Sequence, residues 1–307
     1  MGRSTRWIIG RGLLGSAVSA VRPDRPYRAP IDWRSPASAN ADLARGLEAL
    51  LAAERDEIEI YWCAGKGVTS TPKAQLDAEA DVFEAFLGSL ARAAQGRTVR
   101  FFLASSVGGA YAGADDPPFT ERTVPRPLSA YGETKLRMEA ALARTAAEIG
   151  MSAFIARITN LYGPGQDLGK GQGLISIILE SYVSGRPATI YVSLDTLRDY
   201  IYVDDCARVI DAAMTRLAHE PAGTTVVKIV GAMNAVSVGA VLGEVSRLRR
   251  KTVPIVVGQG AAAGQAGDLR VRSVVWPDLD DLVGTTLPEG LGAVYRSQLR
   301  MRMLPEH

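Results

Sequence analysis

The stretch RWIIGRGLLG, from Arg6 to Gly15, joins a short apolar run to a glycine-rich turn. The apolar run is typical of a buried strand, and a helical pattern follows the turn. Gly10, Gly12 and Gly15 have the spacing G-x-G-x-x-G. Glycines at this spacing permit a tight turn and let the backbone approach a pyrophosphate at the helix N-terminus. The stretch therefore predicts a strand–turn–helix unit that binds a dinucleotide.

Apolar runs alternate with helical patterns further along the chain. The predicted strands are YRAPIDW (27–33), IEIYWCAG (58–65), VRFFLASS (99–106) and SAFIARITN (152–160), with helices at 41–53 and 80–94. Strands that alternate with helices form a parallel sheet covered on both faces. We predict an α/β fold with a doubly wound parallel sheet. Pro30 weakens the first of these strands. The short spacing between it and IEIYWCAG leaves room for one helix, so a strand usual at this point of a doubly wound sheet is expected to be absent or reduced.

The composition excludes several classes of protein. Of the 307 residues, 47% are hydrophobic, and 35 basic against 33 acidic residues leave a net charge of +2. So balanced a charge gives no sign of binding to nucleic acid or to a membrane surface, and we predict neither partner. The N-terminus resembles a secretory signal, but Arg11 interrupts its apolar run. With two cysteines, Cys63 and Cys206, and no membrane span, we predict a cytoplasmic protein. No metal site is predicted.

Three charged residues bear on which dinucleotide is bound. Asp32 lies near the point, roughly 20 residues beyond the glycine loop, where an acidic residue holds a ribose 2′-hydroxyl. Arg34 follows two positions later, and Arg11 lies inside the loop. An arginine can bind a 2′-phosphate with two hydrogen bonds. The two arginines favour NADP(H) over NAD(H), which stays the alternative.

The stretch SAYGETK, residues 129–135, contains Tyr131 and Lys135. Four residues apart, they share one face of a helix. Ser105 and Ser106 end the preceding strand, and ligands of a doubly wound sheet lie beyond the carboxyl ends of its strands. These side chains should therefore face one crevice. Tyr131 would exchange a proton with a carbonyl or alcohol oxygen, Lys135 would stabilise its phenolate and hold a nicotinamide ribose, and a serine would hydrogen-bond the reacting oxygen.

Four motifs then occur in a fixed order: GRGLLG (10–15), ASSVGGAYAG (104–113) with SAYGETK, ARITNLYGPGQ (156–166) and RDYIYVDDCA (198–207). Together they resemble the extended short-chain dehydrogenase/reductase family of NAD-dependent epimerases and dehydratases, which includes UDP-galactose 4-epimerase. The tail at 236–257 resembles the family's substrate domain. The resemblance implies a Rossmann-type sheet with a smaller C-terminal substrate lobe. The dinucleotide-binding domain would comprise 1–162 and 196–231, and the lobe 163–195 and 232–307.

The resemblance also assigns residues. Tyr131 and Lys135 match the catalytic pair, and the spacing in the 4-epimerase selects Ser106 as the serine, with Ser105 as the alternate. Asn160 matches a residue that contacts the sugar nucleotide, and Arg198 matches one that binds its diphosphate. The cofactor-binding set is Gly10, Arg11, Gly12, Leu14, Gly15, Asp32, Arg34, Ala64, Gly65, Lys66, Tyr131 and Lys135. One departure is that Ile8 and Ile9 stand where the family usually has Thr and Gly.

The resemblance narrows the reaction as well. Dehydratases of the family carry an Asp-Glu pair after the catalytic Thr, whereas Val107 and Gly108 follow Ser106 and cannot transfer protons. Epimerising reductases that resemble GDP-fucose synthase use a Cys and a His. We expect the residues of these types to lie away from the crevice; they are Cys63, Cys206, His219 and His307.

The remaining reaction is hydride transfer at a secondary alcohol or ketone of a nucleotide sugar, at C4 of a hexose. The protein would be a 4-epimerase or a 4-ketoreductase, and a homodimer is compatible with this resemblance. The alternative is a non-catalytic sensor or scaffold that binds a dinucleotide. Such a protein would not need Tyr131 and Lys135.

Overall fold

Strands and helices alternate along the chain in the computed structural model, which describes residues 4–53, 57–94, 96–170, 173–248, 250, 252–258 and 266–303. The strands are β1 Thr5–Ile9, β2 Glu57–Trp62, β3 Thr98–Ser106, β4 Ser152–Ile158, β5 Asn160–Tyr162, β6 Ala188–Ile190, β7 Leu197–Arg198, β8 Tyr200–Tyr202, β9 Thr225–Val230, β10 Val236–Ser237 and β11 Ile255–Val257. The α-helices are α1 Leu13–Val21, α2 Pro36–Ala53, α3 Lys73–Ala93, α4 Val107–Tyr111, α5 Ala130–Ile149, α6 Leu174–Ser184, α7 Val203–Leu217, α8 Val238–Arg247 and α9 Leu287–Met303.

Five strands form the central sheet, in the order β1-β2-β3-β4-β9. Every neighbouring pair in it is parallel. The carboxyl ends of the strands therefore lie along one edge, where a doubly wound sheet binds its ligands. The predicted α/β fold with a Rossmann-type parallel sheet is confirmed.

Successive side chains of a strand point to opposite faces of the sheet, and helices cover both faces. Phe101 packs with α2, α3 and α5 on one face. Its neighbour Phe102 packs with α1 and α7 on the other. Both side chains are fully buried. The near-continuous apolar strands predicted from the sequence are thus buried on both sides, as parallel sheets require.

The predicted strand YRAPIDW is reduced to one bridge. Tyr27 pairs with Trp7 in an isolated parallel bridge, and the Tyr27 N–H donates to the Arg6 carbonyl at 2.7 Å. Pro30 has no N–H to continue the pairing. In residues 22–53 the structure has no further strand, and α2 leads on towards β2. Among the described residues only α2 lies between Trp33 and β2, so the expectation that a further strand is absent or reduced is confirmed. The predicted strand at 27–33 is wrong beyond the bridge at Tyr27.

A third apolar cluster lies outside the sheet. It joins α6, α8 and α9 through residues such as Ile178, Val241 and Leu291, mostly from segments assigned to the smaller lobe. Leu269 and Val271, from the same segments, pack instead in a cluster with Val107. The division into two lobes stays a prediction.

None of the described helices is long and apolar enough to cross a membrane. Within the same residues, no three His, Cys, Asp or Glu side chains are grouped so that they could hold a metal ion.

Candidate active site

A cavity of about 1200 Å³ lies at the carboxyl ends of the sheet strands and reaches β6, β7 and α6. Most of the residues predicted to bind or react line it. They are Gly10, Arg11, Gly12, Leu14, Arg34, Ala64, Gly65, Lys66, Ser105, Ser106, Tyr131, Lys135, Asn160 and Arg198. Gly15 and Asp32 are outside this lining. One crevice thus brings together residues from four separate motifs.

The glycine turn at one end of the cavity leaves no space for a side chain at Gly10 or Gly15. Gly10 has a φ of +87°, and a Cβ on it would lie 2.3 Å from the Ala64 nitrogen. A Cβ on Gly15 would lie 2.0 Å from the Gly10 carbonyl oxygen, so Gly15 belongs to the turn although it does not line the cavity. Gly12 is the N-cap of α1 and makes no side-chain cap. The N–H groups of the first turn of α1 therefore face open space, which fits a pyrophosphate.

At the end of the cavity lined by Arg34, the position of Asp32 differs from the prediction. Because the chain is not a strand here, Asp32 does not point into the cavity. Its carboxylate instead accepts hydrogen bonds from Arg34 Nε at 2.9 Å and Nη2 at 2.7 Å. This pairing lowers the pKa of Asp32 and raises that of Arg34. Trp33 lines the cavity, and its ring stands edge-on to Trp62 at 6.4 Å.

Helix α5 carries Tyr131 and Lys135 into the cavity from its first two turns. The helix is capped by Ser129, whose Oγ accepts from the Gly132 N–H at 3.2 Å. Lys135 Nζ lies 5.7 Å from the centre of the Tyr131 ring and donates to the Ala104 carbonyl at 3.4 Å. The lysine is thereby held between its own helix and the end of β3. The pair shares one cavity with the two serines, and its chemical role stays a prediction.

Ser105 belongs to a buried polar network. Its hydroxyl donates to Glu139 Oε1 at 2.5 Å. Glu139, on α5, also accepts from Arg157 at 2.7 Å, and Arg157 donates to the Tyr111 hydroxyl at 2.6 Å. The Ser105 proton is therefore already used within the protein.

Ser106 is placed differently. Its Oγ accepts from the Gly109 N–H at 3.1 Å, which leaves the hydroxyl proton for a ligand. A Cβ on Gly109 would lie 3.3 Å from Ser106 Cβ and 3.4 Å from Cε1 of Tyr131. The two side chains thus flank the same point in the cavity. This geometry favours Ser106 over Ser105 as a partner of Tyr131.

Arg198 is a buried cation. It donates to the carbonyls of Leu197 at 2.9 Å and Ala266 at 2.6 Å. No carboxylate of the described chain forms an ion pair with it. Burial accordingly lowers the pKa of Arg198. The charge of Asp268 opposes this shift without forming an ion pair, so the buried cation suits an anionic ligand.

The neighbouring Asp199 does not supply that counterion. Its carboxylate accepts from the N–H groups of Ala232 and Asn234, both at 2.8 Å. Its carbonyl accepts from the Asn160 side-chain amide at 3.1 Å. Asn160 is thereby fixed at the cavity wall, with its side-chain oxygen left to accept a hydrogen bond from a ligand.

The cavity contains a cysteine that the sequence had placed elsewhere. Cys63 follows β2 and lines the wall; a Cβ on Gly15 would lie 3.3 Å from its Cβ. The expectation that it lies away from the crevice is wrong. Burial raises the pKa of Cys63 to about 12, so the thiol stays protonated. Cys206 is buried on α7, His219 follows that helix outside the cavity lining, and His307 lies outside the described residues.

Glu79 is a lining residue that the sequence analysis missed. It lies on α3, and its Oε1 accepts from the Lys66 N–H at 2.8 Å. Both the loop after β2 and α3 are needed to bring Glu79 to the cavity. The amphipathic pattern of α3 predicts an exposed polar residue at this position, and no other feature of the sequence indicates that Glu79 lines a cavity.

Residues 10–227 match the sequence profile of the NAD dependent epimerase/dehydratase family, from the glycine turn to β9. The chain belongs to that family. Among curated members, it is 34% identical over 116 residues to a dTDP-4-dehydro-6-deoxyglucose reductase of Escherichia coli, covering 38% of this chain and 37% of the relative. It is also 34% identical over 106 residues to a dTDP-L-rhamnose 4-epimerase of Burkholderia thailandensis, covering 34% and 28%. The matches thus span about a third of the length of these curated relatives.

Solved structures of the epimerase/dehydratase fold match over nearly the whole chain. One is MoeE5 in complex with UDP-glucose and NAD, with a TM-score of 0.76, 22% identity, and 98% and 100% of the two chains covered. Another is a UDP-N-acetylglucosamine 4-epimerase from Methanobrevibacter ruminantium M1 in complex with UDP-N-acetylmuramic acid, with a TM-score of 0.76, 17% identity and the same coverage. At these identities the likeness shows the fold.

Proposed function

We propose that the protein is an NAD(P)-dependent oxidoreductase that acts at a secondary alcohol or ketone of a nucleotide sugar, as a 4-epimerase or a 4-ketoreductase. The observation that carries this proposal is the shared cavity. It combines a glycine turn that fits a pyrophosphate, the pair Tyr131 and Lys135, and the buried cation of Arg198, which forms no ion pair with the described residues. Curated relatives with reductase and 4-epimerase names support it.

Each residue of the cavity has a separate role in the proposed reaction. A nicotinamide dinucleotide bound at the glycine turn would supply or accept the hydride. Tyr131 exchanges a proton with the reacting oxygen, and Ser106 donates a hydrogen bond to that oxygen. Lys135, held by the Ala104 carbonyl, stabilises the Tyr131 phenolate by its positive charge. Asn160 and Arg198 hold the nucleotide sugar.

A panel of substrates tests the proposal. UDP- and dTDP-hexoses and their 4-keto forms would be incubated with NAD(P)⁺ or NAD(P)H and followed by NMR. An epimerase interconverts C4 epimers without net change in the dinucleotide, whereas a ketoreductase consumes NAD(P)H. Binding of a dinucleotide without conversion of any member would contradict an enzymatic role and indicate a sensor or scaffold.

Arg198→Met should weaken the binding of UDP or dTDP by about 1.5–3 kcal/mol, because a hydrogen bond to a charged group is lost. The free energy of unfolding should fall by no more than about 1–3 kcal/mol, because the carbonyls of Leu197 and Ala266 lose a donor but no carboxylate of the described structure loses an ion pair. Isothermal titration with each nucleotide and urea unfolding measure the two effects. Unchanged affinity would remove the diphosphate role, and a large loss of stability would indicate a structural one.

For the cofactor, we propose that NADP(H) is preferred over NAD(H). Arg34 lines the adenosine end of the cavity and Asp32 does not, so the exposed guanidinium is the charge that a ribose 2′-phosphate meets. Arg11 lines the same end and donates to Ser19 at 3.3 Å. The opposing observation is that Asp32 already binds Arg34 and would compete with the phosphate.

Arg34→Ala should weaken NADPH binding by about 1.5–3 kcal/mol and leave NADH binding nearly unchanged. Asp32→Asn is the matched variant, because it frees Arg34 from its partner and should strengthen NADPH binding. Fluorescence titration with both dinucleotides measures these effects. Tighter binding of NADH than of NADPH by the parent protein, or a loss of NADH affinity in Asp32→Asn, would instead assign Asp32 to the ribose hydroxyls.

Three further properties are proposed with this function. Residues 1–162 and 196–231 form the dinucleotide-binding domain, and 163–195 and 232–307 form the substrate lobe, which the cluster of α6, α8 and α9 supports. The protein acts in the cytoplasm and binds no nucleic acid. A homodimer is compatible with the family, and light scattering measures it.

A further inference from the structure

We propose that Glu79 passes protons between bulk water and the Tyr131–Lys135 pair, and that this serves net reduction of a ketone. The inference rests on the proposed oxidoreductase function and adds a positioning and proton-transfer residue to it. The observation that supports it is the position of the Glu79 carboxylate in the cavity wall.

One oxygen of that carboxylate is anchored. Oε1 accepts from the Lys66 N–H at 2.8 Å, which fixes the side chain against the loop after β2. The described structure gives Oε2 no hydrogen-bond partner of its own. A side chain held by one oxygen and free at the other can take up and release a proton without changing its position.

The free oxygen lies beside the reactive pair. A Cβ on Gly65 would lie 3.6 Å from Glu79 Oε2 and 3.7 Å from Lys135 Nζ. A Cβ on Gly67 would lie 3.2 Å from the same oxygen and 3.7 Å from Cδ2 of Tyr131. Oε2 therefore faces the same part of the cavity as both members of the pair. It makes no direct ion pair with Lys135 within the described residues, so a proton would pass between them through intervening water.

The proton balance of the reaction gives this carboxylate a task. Reduction of a ketone to an alcohol consumes one hydride and one proton, and the proton comes from the Tyr131 hydroxyl. The resulting phenolate regains a proton from the Lys135 ammonium. The Glu79 carboxylate takes up a proton from bulk solvent at Oε2 and passes it to the Lys135 amine, which restores the ammonium and the carboxylate. An epimerase returns its proton within one cycle and needs no such supply.

Other titratable groups near Lys135 do not fit this task. The Cys63 thiol lies close to Lys135, but burial raises its pKa to about 12, so it does not exchange protons readily near neutrality. Lys66 contributes only its backbone N–H to the contact. Asp77, on the same helix, pairs with Lys73 at 2.8 Å and does not line the cavity.

Glu79→Gln tests the proposal, because glutamine keeps an oxygen that accepts from Lys66 but cannot carry a proton. The protein would be saturated with NAD(P)⁺ and subjected to a pH jump, while the absorbance of tyrosinate is followed by stopped flow. Subtracting the Tyr131→Phe signal isolates Tyr131. We expect the protonation rate in Glu79→Gln to fall by about tenfold or more, with recovery in added formate. Asp77→Asn is the control and should keep the parental rate.

An unchanged rate in Glu79→Gln would overturn the proposal. A slower rate without recovery in formate would also overturn it, and would assign Glu79 to support of the loop at Lys66. The measurement uses no sugar substrate. A protein that converts no member of the substrate panel but shows formate-dependent recovery would therefore contradict the proposed reaction and leave the proton path standing.

Discussion

Replacing Tyr131 by phenylalanine should reduce turnover by about 10²–10⁴-fold, the usual contribution of a general acid or base. The phenyl ring keeps the packing beside Lys135 and Gly109 and removes only the hydroxyl. Dinucleotide affinity should therefore hardly change. Steady-state kinetics on a substrate that the parent converts, with a separate titration of the dinucleotide, measures both quantities.

Tyr182→Phe is the matched control for this change. Tyr182 packs against the cluster of α6, α8 and α9, and its buried hydroxyl has no hydrogen-bond partner in the described structure. Loss of the Tyr182 hydroxyl should leave turnover unchanged.

Lys135→Ala should lower both the rate and the dinucleotide affinity, because Lys135 stabilises the Tyr131 phenolate and also holds the nicotinamide ribose. Parental turnover in Tyr131→Phe would show that the pair is only a part of the helix surface.

Glu139→Ala should lower the free energy of unfolding by about 3–5 kcal/mol, because it leaves the buried cation of Arg157 without its counterion. Both side chains are more than nine-tenths buried. The same change frees the Ser105 hydroxyl, which donates to Glu139 in the parent. Equilibrium unfolding in urea measures the loss.

Two controls distinguish the cost of leaving the buried Arg157 charge uncompensated from the cost of losing an ordinary ion pair. Glu84→Ala removes an exposed partner of Arg137, at 2.8 Å, and should cost less than about 1 kcal/mol. The double variant Glu139→Ala/Arg157→Met removes the uncompensated cation and should regain part of the lost stability. A loss below 1 kcal/mol in Glu139→Ala would mean that water reaches Arg157 and solvates it.

The fold could be predicted from local sequence patterns because each pattern is compatible with only one local structure. Gly10 and Gly15 of GRGLLG lie where a Cβ would collide with backbone, whereas Gly12 is the N-cap of α1. The close approach at Gly10 and Gly15 is what the motif specifies. Tyr131 and Lys135 were predictable for the same reason, since helical periodicity alone places them on one face. The family match confirms the resemblance that these motifs indicated.

Other parts of the site depend on tertiary contacts. The sequence placed Asp32 at a strand end, but the chain there makes one bridge at Tyr27 and the carboxylate turns to Arg34. Neighbouring serines on a strand point to opposite sides, and only the contact with Glu139 shows which of them is occupied. Glu79 reaches the cavity because α3 packs beside the loop at Lys66, a distance of 13 residues that no local pattern spans.

The single bridge at Tyr27 bears on how long a bound dinucleotide stays. Where a full strand would stand, the adenosine half of the cleft is bounded by Trp33, Arg34 and the start of α2. Loops open at a lower free energy than paired strands, so the residence time should be short. An epimerase can keep one dinucleotide through many cycles, whereas a reductase must exchange it after each one. A short residence time of the bound dinucleotide would therefore favour the ketoreductase alternative of the proposed function, and a long one the epimerase alternative.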